Sequence, residues 1–199
     1  MKKKTNSIGI LGGTFDPAHF GHVEISKHAY KSIGLDQIWW IITSRNPMKG
    51  QSLDSYEERV QKAEFITKDI PYIKIYNKDL HLKTDYTSEL IGKIKRKYNR
   101  TNFVWIMGAD NLVNFHKWHK FDDIINQISI ATIDRTKYRN DALKSPTALK
   151  YSNGFVNNSD AKMLPYLESP AWTYLDIRTL DISSTQIREG SIIVNNNNM

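Results

Sequence analysis

Ser7-Ile8-Gly9-Ile10-Leu11 runs directly into Gly12-Gly13-Thr14-Phe15-Asp16-Pro17-Ala18-His19-Phe20-Gly21-His22. The first five residues are a short apolar run bounded by glycines, which reads as a buried strand ending in a tight turn. Residues 20–33 carry apolar side chains at Val23, Ile25, Ala29, Tyr30 and Ile33, the spacing of a helix, with Gly34 as its stop. In a parallel sheet such a strand–turn–helix junction lies at the carboxyl end of the strand, where ligands bind. Paired glycines allow backbone N–H groups to approach a phosphate closely, and the next helix directs its positive end to the same place. His19 and His22 are three residues apart and share one side of a first helical turn, with Gly21 leaving room between them. The segment lacks the Gly-Lys-Ser/Thr of a Walker loop and the spacing of Gly-x-Gly-x-x-Gly. An ordinary turn with two structural histidines is the plain alternative. A zinc site would need at least a third protein ligand.

Outward from this junction, strand and helix alternate. Residues 37–43 are a second buried strand and 44–52 a loop around Pro47 and Gly50. Ser55-Tyr56-Glu57-Glu58 is a capping box opening a helix to about Thr67. Residues 72–76 alternate as a strand, 87–98 have the pattern of a helix, 103–107 a strand, 122–127 a helical piece and 129–133 another strand. The pattern predicts an α/β fold, a doubly wound Rossmann-like parallel sheet. One domain is expected over residues 1–190, with a disordered, Asn-rich tail over 191–199. Residues 136–170 show no clean period. A last strand is expected at 172–178 and a helix start at 183–189.

Composition narrows the classes. About two fifths of the 199 residues are hydrophobic and a quarter charged, as in an ordinary globular protein. There is no cysteine, which excludes disulfides, thiolate metal sites and cysteine nucleophiles. No apolar run reaches the roughly 18 residues a membrane helix needs. The basic start at Lys2-Lys3-Lys4 leads into glycines and Asp16 and does not read as an export signal, so the cytoplasm is the expected compartment. The net charge of +7 fits either nucleic-acid binding or scattered lysines around an anion pocket. The lysines are spread along the chain without interleaved aromatics, which favours the second.

Three more segments carry chemistry. Asp181-Ile182-Ser183-Ser184-Thr185-Gln186-Ile187-Arg188 combines helix-start hydroxyls with an arginine one turn on, either a phosphate cradle or an ordinary capped helix. Gly108-Ala109-Asp110 puts a carboxylate at a strand end, for ribose hydroxyls or for helix capping. Lys117-Trp118-His119 offers a ring for stacking, or a core tryptophan.

Residues 12–22, with Gly-Gly-Thr-Phe-Asp-Pro followed by His-x-Gly-His, resemble the signature loop of the His-x-Gly-His nucleotidyltransferases, and in particular the nicotinate-nucleotide adenylyltransferase family. The resemblance extends over residues 8–189. It implies adenylyl transfer from ATP to nicotinate mononucleotide, giving deamido-NAD and pyrophosphate, with Mg²⁺ carried on the ATP phosphates. It implies ATP contacts at Gly12, Gly13, Thr14, Phe15, His19, His22, Asp110, Ser183, Ser184, Thr185 and Arg188. The catalytic charges implied are His19, His22, Lys49 and Arg188. Nicotinate mononucleotide would meet Thr87, Ser88, Trp118 and His119. The chain departs from the family pattern at Met48, where a histidine is common, and at Gly190, where a basic residue is usual. Two other readings stay open: a sister adenylyltransferase acting on phosphopantetheine, and a non-catalytic nucleotide- or RNA-binding derivative of the fold. No membrane or nucleic-acid partner is expected, and oligomeric state is left open.

Overall fold

The computed structural model describes residues 5–43, 54–76, 86–134 and 136–176. Seven strands form one sheet in the order β3-β2-β1-β4-β5-β7-β6, and every neighbouring pair is parallel. They are β1 (Asn6–Gly13), β2 (Gln37–Ile42), β3 (Ile73–Ile75), β4 (Thr101–Gly108), β5 (Ser129–Ile133), β6 (Phe155–Val156) and β7 (Trp172–Leu175). The helices are α1 (Phe20–Ile33), α2 (Tyr56–Thr67), α3 (Thr87–Lys97), α4 (Ala109–Asn114), α5 (Phe121–Gln127), α6 (Arg139–Leu143) and α7 (Pro146–Lys150). The chain winds outward from β1 to β2 and β3, then crosses to β4 on the other side. The switch in direction therefore falls between β1 and β4, where a doubly wound sheet opens a crevice.

The sheet is buried on both faces, as parallel sheets are, and side chains of β4 show the alternation. Phe103, Trp105 and Met107 enter a core shared with α3, α4 and α5. Val104 and Ile106 enter the opposite core, shared with α1 and α2. In β2, Trp39 and Ile41 face the first core while Ile38, Trp40 and Ile42 face the second.

Local sequence accounts for the helix boundaries. Gly34 closes α1 in the left-handed conformation, φ 72°, and its N–H donates to the Tyr30 carbonyl. Ser55 and Glu58 form the expected capping box, Ser55 N–H donating to Glu58 Oε2 at 2.8 Å and Glu58 N–H to Ser55 Oγ at 3.2 Å. Accepting the Ser55 N–H and the Ser55 hydroxyl holds the Glu58 carboxyl below its ordinary pKa.

Several expectations need adjustment. Gly12 and Gly13 are not a turn; they are the last residues of β1, paired with Ile41 and Ile42. Residues 136–170, without a readable period, hold α6, α7, β6 and three 3₁₀ segments, of three, three and nine residues. Helix α4 is six residues long, too short to show a period. The expected loop at 44–52 lies, with Met48, outside the described residues, and so do the helix start at 183–189, Gly190 and the tail at 191–199. No helix among the described residues is long and apolar enough to cross a membrane.

Gly12 has a steric reason to be glycine. A Cβ on it would stand 2.4 Å from Cη2 of Trp105, whose ring lies over the end of β1. Gly12→Ala should therefore destabilise the fold by roughly 1–3 kcal/mol through overpacking. Adding Trp105→Phe, which shortens the ring, should recover part of that loss. Denaturant melts of the single and double variants measure both; an additive double variant would mean that the two side chains do not meet.

Candidate active site at the switch point

His19 and His22 open α1 through a reciprocal pair of hydrogen bonds. His19 is the N-cap, in extended backbone, and its Nδ1 accepts from Gly21 N–H at 3.1 Å. His22 Nδ1 in turn accepts from His19 N–H at 3.2 Å. This is a capping box in which imidazoles take the places usually held by Ser or Thr and Glu. A backbone N–H can only donate, so each Nδ1 must be unprotonated. The proton of each neutral ring therefore sits on Nε2, and each histidine presents an N–H donor on the edge away from the helix backbone. The two rings lie 3.9 Å apart, centroid to centroid, at 38°.

The support beneath them comes from β2. Phe15 stacks on Trp40 at 4.8 Å, and His22 packs on Phe15 at 4.7 Å. Trp40 Nε1 donates to Ser26 Oγ at 2.7 Å, and that hydroxyl donates to the His22 carbonyl at 2.9 Å. Phe15 itself has φ 49°, a left-handed backbone that a non-glycine residue adopts at a cost. Its ring is buried, so hydrophobic packing stabilises the bend that turns the chain from β1 toward α1.

Across the switch point stands a second group. Asp110 is the second residue of α4, directly beyond β4, and Gly108 is the cap of that helix. Capping is thus not what Asp110 does. It is partly buried, and one of its carboxylate oxygens is out of contact with solvent. Thr87 and Ser88 are the first two residues of α3, whose N-cap Tyr86 does not cap the helix with its side chain. Their backbone N–H groups belong to the first turn, where no intrahelical acceptor exists. Ser88 Oγ is buried with no hydrogen-bond partner among the described residues. Glu89, exposed in the same turn, sets a negative charge against the helix dipole. The Tyr86 ring lies on His119 at 4.1 Å, so the start of α3 and the segment after α4 come together. Trp118 is half-buried, edge-on to Phe115 at 5.2 Å and to Trp105 at 6.5 Å.

The fold thus gathers Gly12, Gly13, Thr14, Phe15, His19 and His22 at the end of β1, and Asp110 at the end of β4. Thr87, Ser88, Trp118 and His119 form a third group joined by the Tyr86–His119 contact. Lys49, Ser183, Ser184, Thr185 and Arg188 lie outside the described residues. Trp105, which links Gly12 to Trp118, has no signal in the sequence, because a tryptophan in a strand reads as core. Among the described residues no group of three or more His, Asp or Glu side chains is arranged to hold a metal ion.

Capping and chemistry are separable at His19. Asparagine is among the best N-caps, but it lacks the far Nε2–H. His19→Asn should keep the melting temperature close to that of the parent while turnover falls on the order of 10²–10³-fold, the usual cost of a lost charge-stabilising donor. His19→Ala should lose turnover and also about 0.5–2 kcal/mol of stability. An active His19→Asn enzyme would remove this histidine from the chemistry.

Residues 10–190 match the cytidylyltransferase-like family. A protein of Ruegeria pomeroyi named "probable nicotinate-nucleotide adenylyltransferase" is 35% identical over 91% of this chain and 84% of its own length. One of the same name from Agrobacterium fabrum is 37% identical over 91% of this chain and 97% of its own. Among solved structures, the Plasmodium falciparum nicotinic acid mononucleotide adenylyltransferase complexed with NaAD superposes with a TM-score of 0.71, covering 92% of this chain and 83% of that one. Its identity is 18%, so that likeness speaks for the fold. With a family match across residues 10–190 and relatives of this identity over nine tenths of its length, the chain belongs to the cytidylyltransferase-like family, in the branch of nicotinate-nucleotide adenylyltransferases.

Proposed function

We propose that this chain transfers the adenylyl group of ATP to nicotinate mononucleotide, releasing pyrophosphate and forming deamido-NAD in NAD biosynthesis. The observation that carries the transfer chemistry is the His19–His22 capping box between β1 and α1, with both Nε2–H donors set by the helix backbone. The names of the relatives support the acceptor.

In the reaction, a phosphate oxygen of nicotinate mononucleotide attacks the α-phosphorus of ATP. A P–O bond forms there, the bond from that phosphorus to the β-phosphate oxygen breaks, and pyrophosphate leaves with the electron pair. The attacking oxygen is already anionic, so no general base is needed. Catalysis is alignment and neutralisation of charge. His19 and His22 donate to phosphate oxygens from Nε2, while Gly12, Gly13, Thr14 and Phe15 supply close backbone approach. Lys49 meets the transferring phosphate. Arg188 with Ser183, Ser184 and Thr185 takes the leaving pyrophosphate. Asp110 accepts from ribose hydroxyls. Mg²⁺ bound to the ATP phosphates would supply further charge neutralisation there and would need few protein oxygens. The compartment we assign, from the sequence, is the cytoplasm.

For the acceptor, Trp118 and His119 provide ring surfaces, and Thr87 with Ser88 provides donors at the start of α3. Donors suit a carboxylate, which only accepts, better than an amide, whose NH₂ they would leave unpaired. The difference is about 1–3 kcal/mol per buried group, or roughly ten- to hundredfold in specificity. A pyrophosphate-release assay tests the whole reading, with ATP and, in turn, nicotinate mononucleotide, its amide counterpart and phosphopantetheine. Nicotinate mononucleotide should be used best, by that factor over the amide. Equal specificity constants for acid and amide would refute the role of Thr87 and Ser88, and preference for phosphopantetheine would refute the acceptor altogether.

Trp118→Ala should raise the KM for nicotinate mononucleotide well above its effect on the KM for ATP, a stacked pair contributing roughly 0.5–1.5 kcal/mol. It should also lower the melting temperature, since one edge of the ring packs on Phe115 and Trp105. Equal changes in both KM values, measured below the melting temperature, would assign Trp118 to packing alone.

A further inference from the structure

Arg59 lies on α2, an element that contributes no residue to the active site described above, and is 1% exposed. Its Nη1 donates to two backbone carbonyls, Thr14 O at 2.5 Å and Thr43 O at 2.8 Å. The Tyr56 ring covers the guanidinium at 5.6 Å. The two carbonyls occupy a particular place. Strands β1 and β2 are still joined where Thr43 N–H donates to Gly13 O at 2.9 Å, and one residue later the chains part. Arg59 bonds the first carbonyl beyond the ladder on each strand.

Burying a cation is costly unless it is well bonded, and a solvated helix position would have avoided the cost. A structural link between two strand ends could also be made by an uncharged donor. What a guanidinium adds is a positive charge beneath two carbonyl dipoles, at the end of the sheet where phosphates would come. It also sets a direction. The peptide between Thr14 and Phe15 is planar and trans, so its C=O and N–H point opposite ways. Drawing the Thr14 carbonyl down toward α2 turns the Phe15 N–H up, away from the guanidinium. Phe15 is the residue held at φ 49°, so the strained bend and the arginine share one peptide unit.

We propose that Arg59 is a positioning residue for adenylyl transfer: by holding the Thr14 carbonyl it aims the Phe15 N–H at a substrate phosphate and removes a carbonyl oxygen that would repel that phosphate. The proposal rests on the adenylyl-transfer reading for its effect on turnover, and on the geometry of the Thr14–Phe15 peptide for its effect on binding.

The test combines an amide spectrum with kinetics on the full chain. In the parent protein, the Phe15 amide resonance should shift on saturation with ATP. Arg59→Lys keeps a buried cation but ends one bond short of Nη1, the atom that reaches both carbonyls. It should retain a dispersed spectrum, lose most of the Phe15 response to ATP, and drop in kcat by about ten- to hundredfold. The Trp118 indole response to nicotinate mononucleotide should stay as in the parent, which a general loosening of the fold would not allow. A folded Arg59→Lys protein with parental kcat and Phe15 response overturns the proposal. Should that variant fail to fold, the parent titration decides alone: a Phe15 amide silent to ATP overturns the proposal, and a responding one upholds it. A parent that binds ATP through Phe15 but releases no pyrophosphate with nicotinate mononucleotide would instead defeat the adenylyl-transfer reading, and with it the effect on turnover, while the part of this inference that concerns ATP binding would stand.

Discussion

Two hydrogen bonds between imidazole nitrogens and backbone N–H groups hold this site together. His19 Nδ1 takes Gly21 N–H and His22 Nδ1 takes His19 N–H. Helix α1 needs those acceptors, because its first turn has none of its own. The chemistry needs the same bonds, because they settle which nitrogen of each ring carries the proton. One arrangement thus starts a helix and prepares two donors. The rings are then kept in place from below, by Phe15 on Trp40 and by the bond from Trp40 through Ser26 to the His22 carbonyl. Trp40 also meets the His22 ring edge-on at 5.9 Å, so a change in β2 would reach that histidine both directly and through Ser26.

The sheet supplies the other constraint. With both faces buried, β1 has alternate residues in two cores, and at its end the two requirements diverge. Gly12 faces Trp105 and has no room for a side chain. Phe15, two residues past the strand, turns into the opposite core through a left-handed backbone. Between them lies Thr14, whose carbonyl is bonded by the buried Arg59. Gly12 thus serves packing on one side as well as any approach of phosphate on the other. On the far side of the switch, Trp105 relays the same packing to Trp118, and Tyr86 on His119 joins the starts of two separate segments.

Much of this was legible in the amino-acid sequence. Helix α1 runs over the residues its apolar spacing and Gly34 marked, and α2 opens at the capping box of Ser55 and Glu58. Strands β2, β4 and β5 stand where the buried runs lie, within a residue or two. These are local signals: a period, a cap, a stop. The stretch from 136 to 170 was illegible for the converse reason. Its α-helices are a turn or so long, its strand has two residues, and its longest helix, Asn158–Tyr166, is a 3₁₀ helix with Pro165 inside it, so none shows the 3.6-residue period, and each exists through what it packs against.

The sequence by itself determined the alternation of strand and helix, the class of sheet, and the presence of a long motif ending in His-x-Gly-His. Those follow from side-chain spacing and backbone preference within a few residues. Only the tertiary structure decided that the glycine pair ends a strand beneath Trp105. It alone decided that His19 caps α1 while His22 answers it, and that an arginine 45 positions from Thr14 grips the intervening bend. Each of those depends on which atoms meet across the fold. A ring over a glycine, or a guanidinium under two carbonyls, leaves no period and no motif in the chain; it exists only once distant residues are brought within a few ångströms.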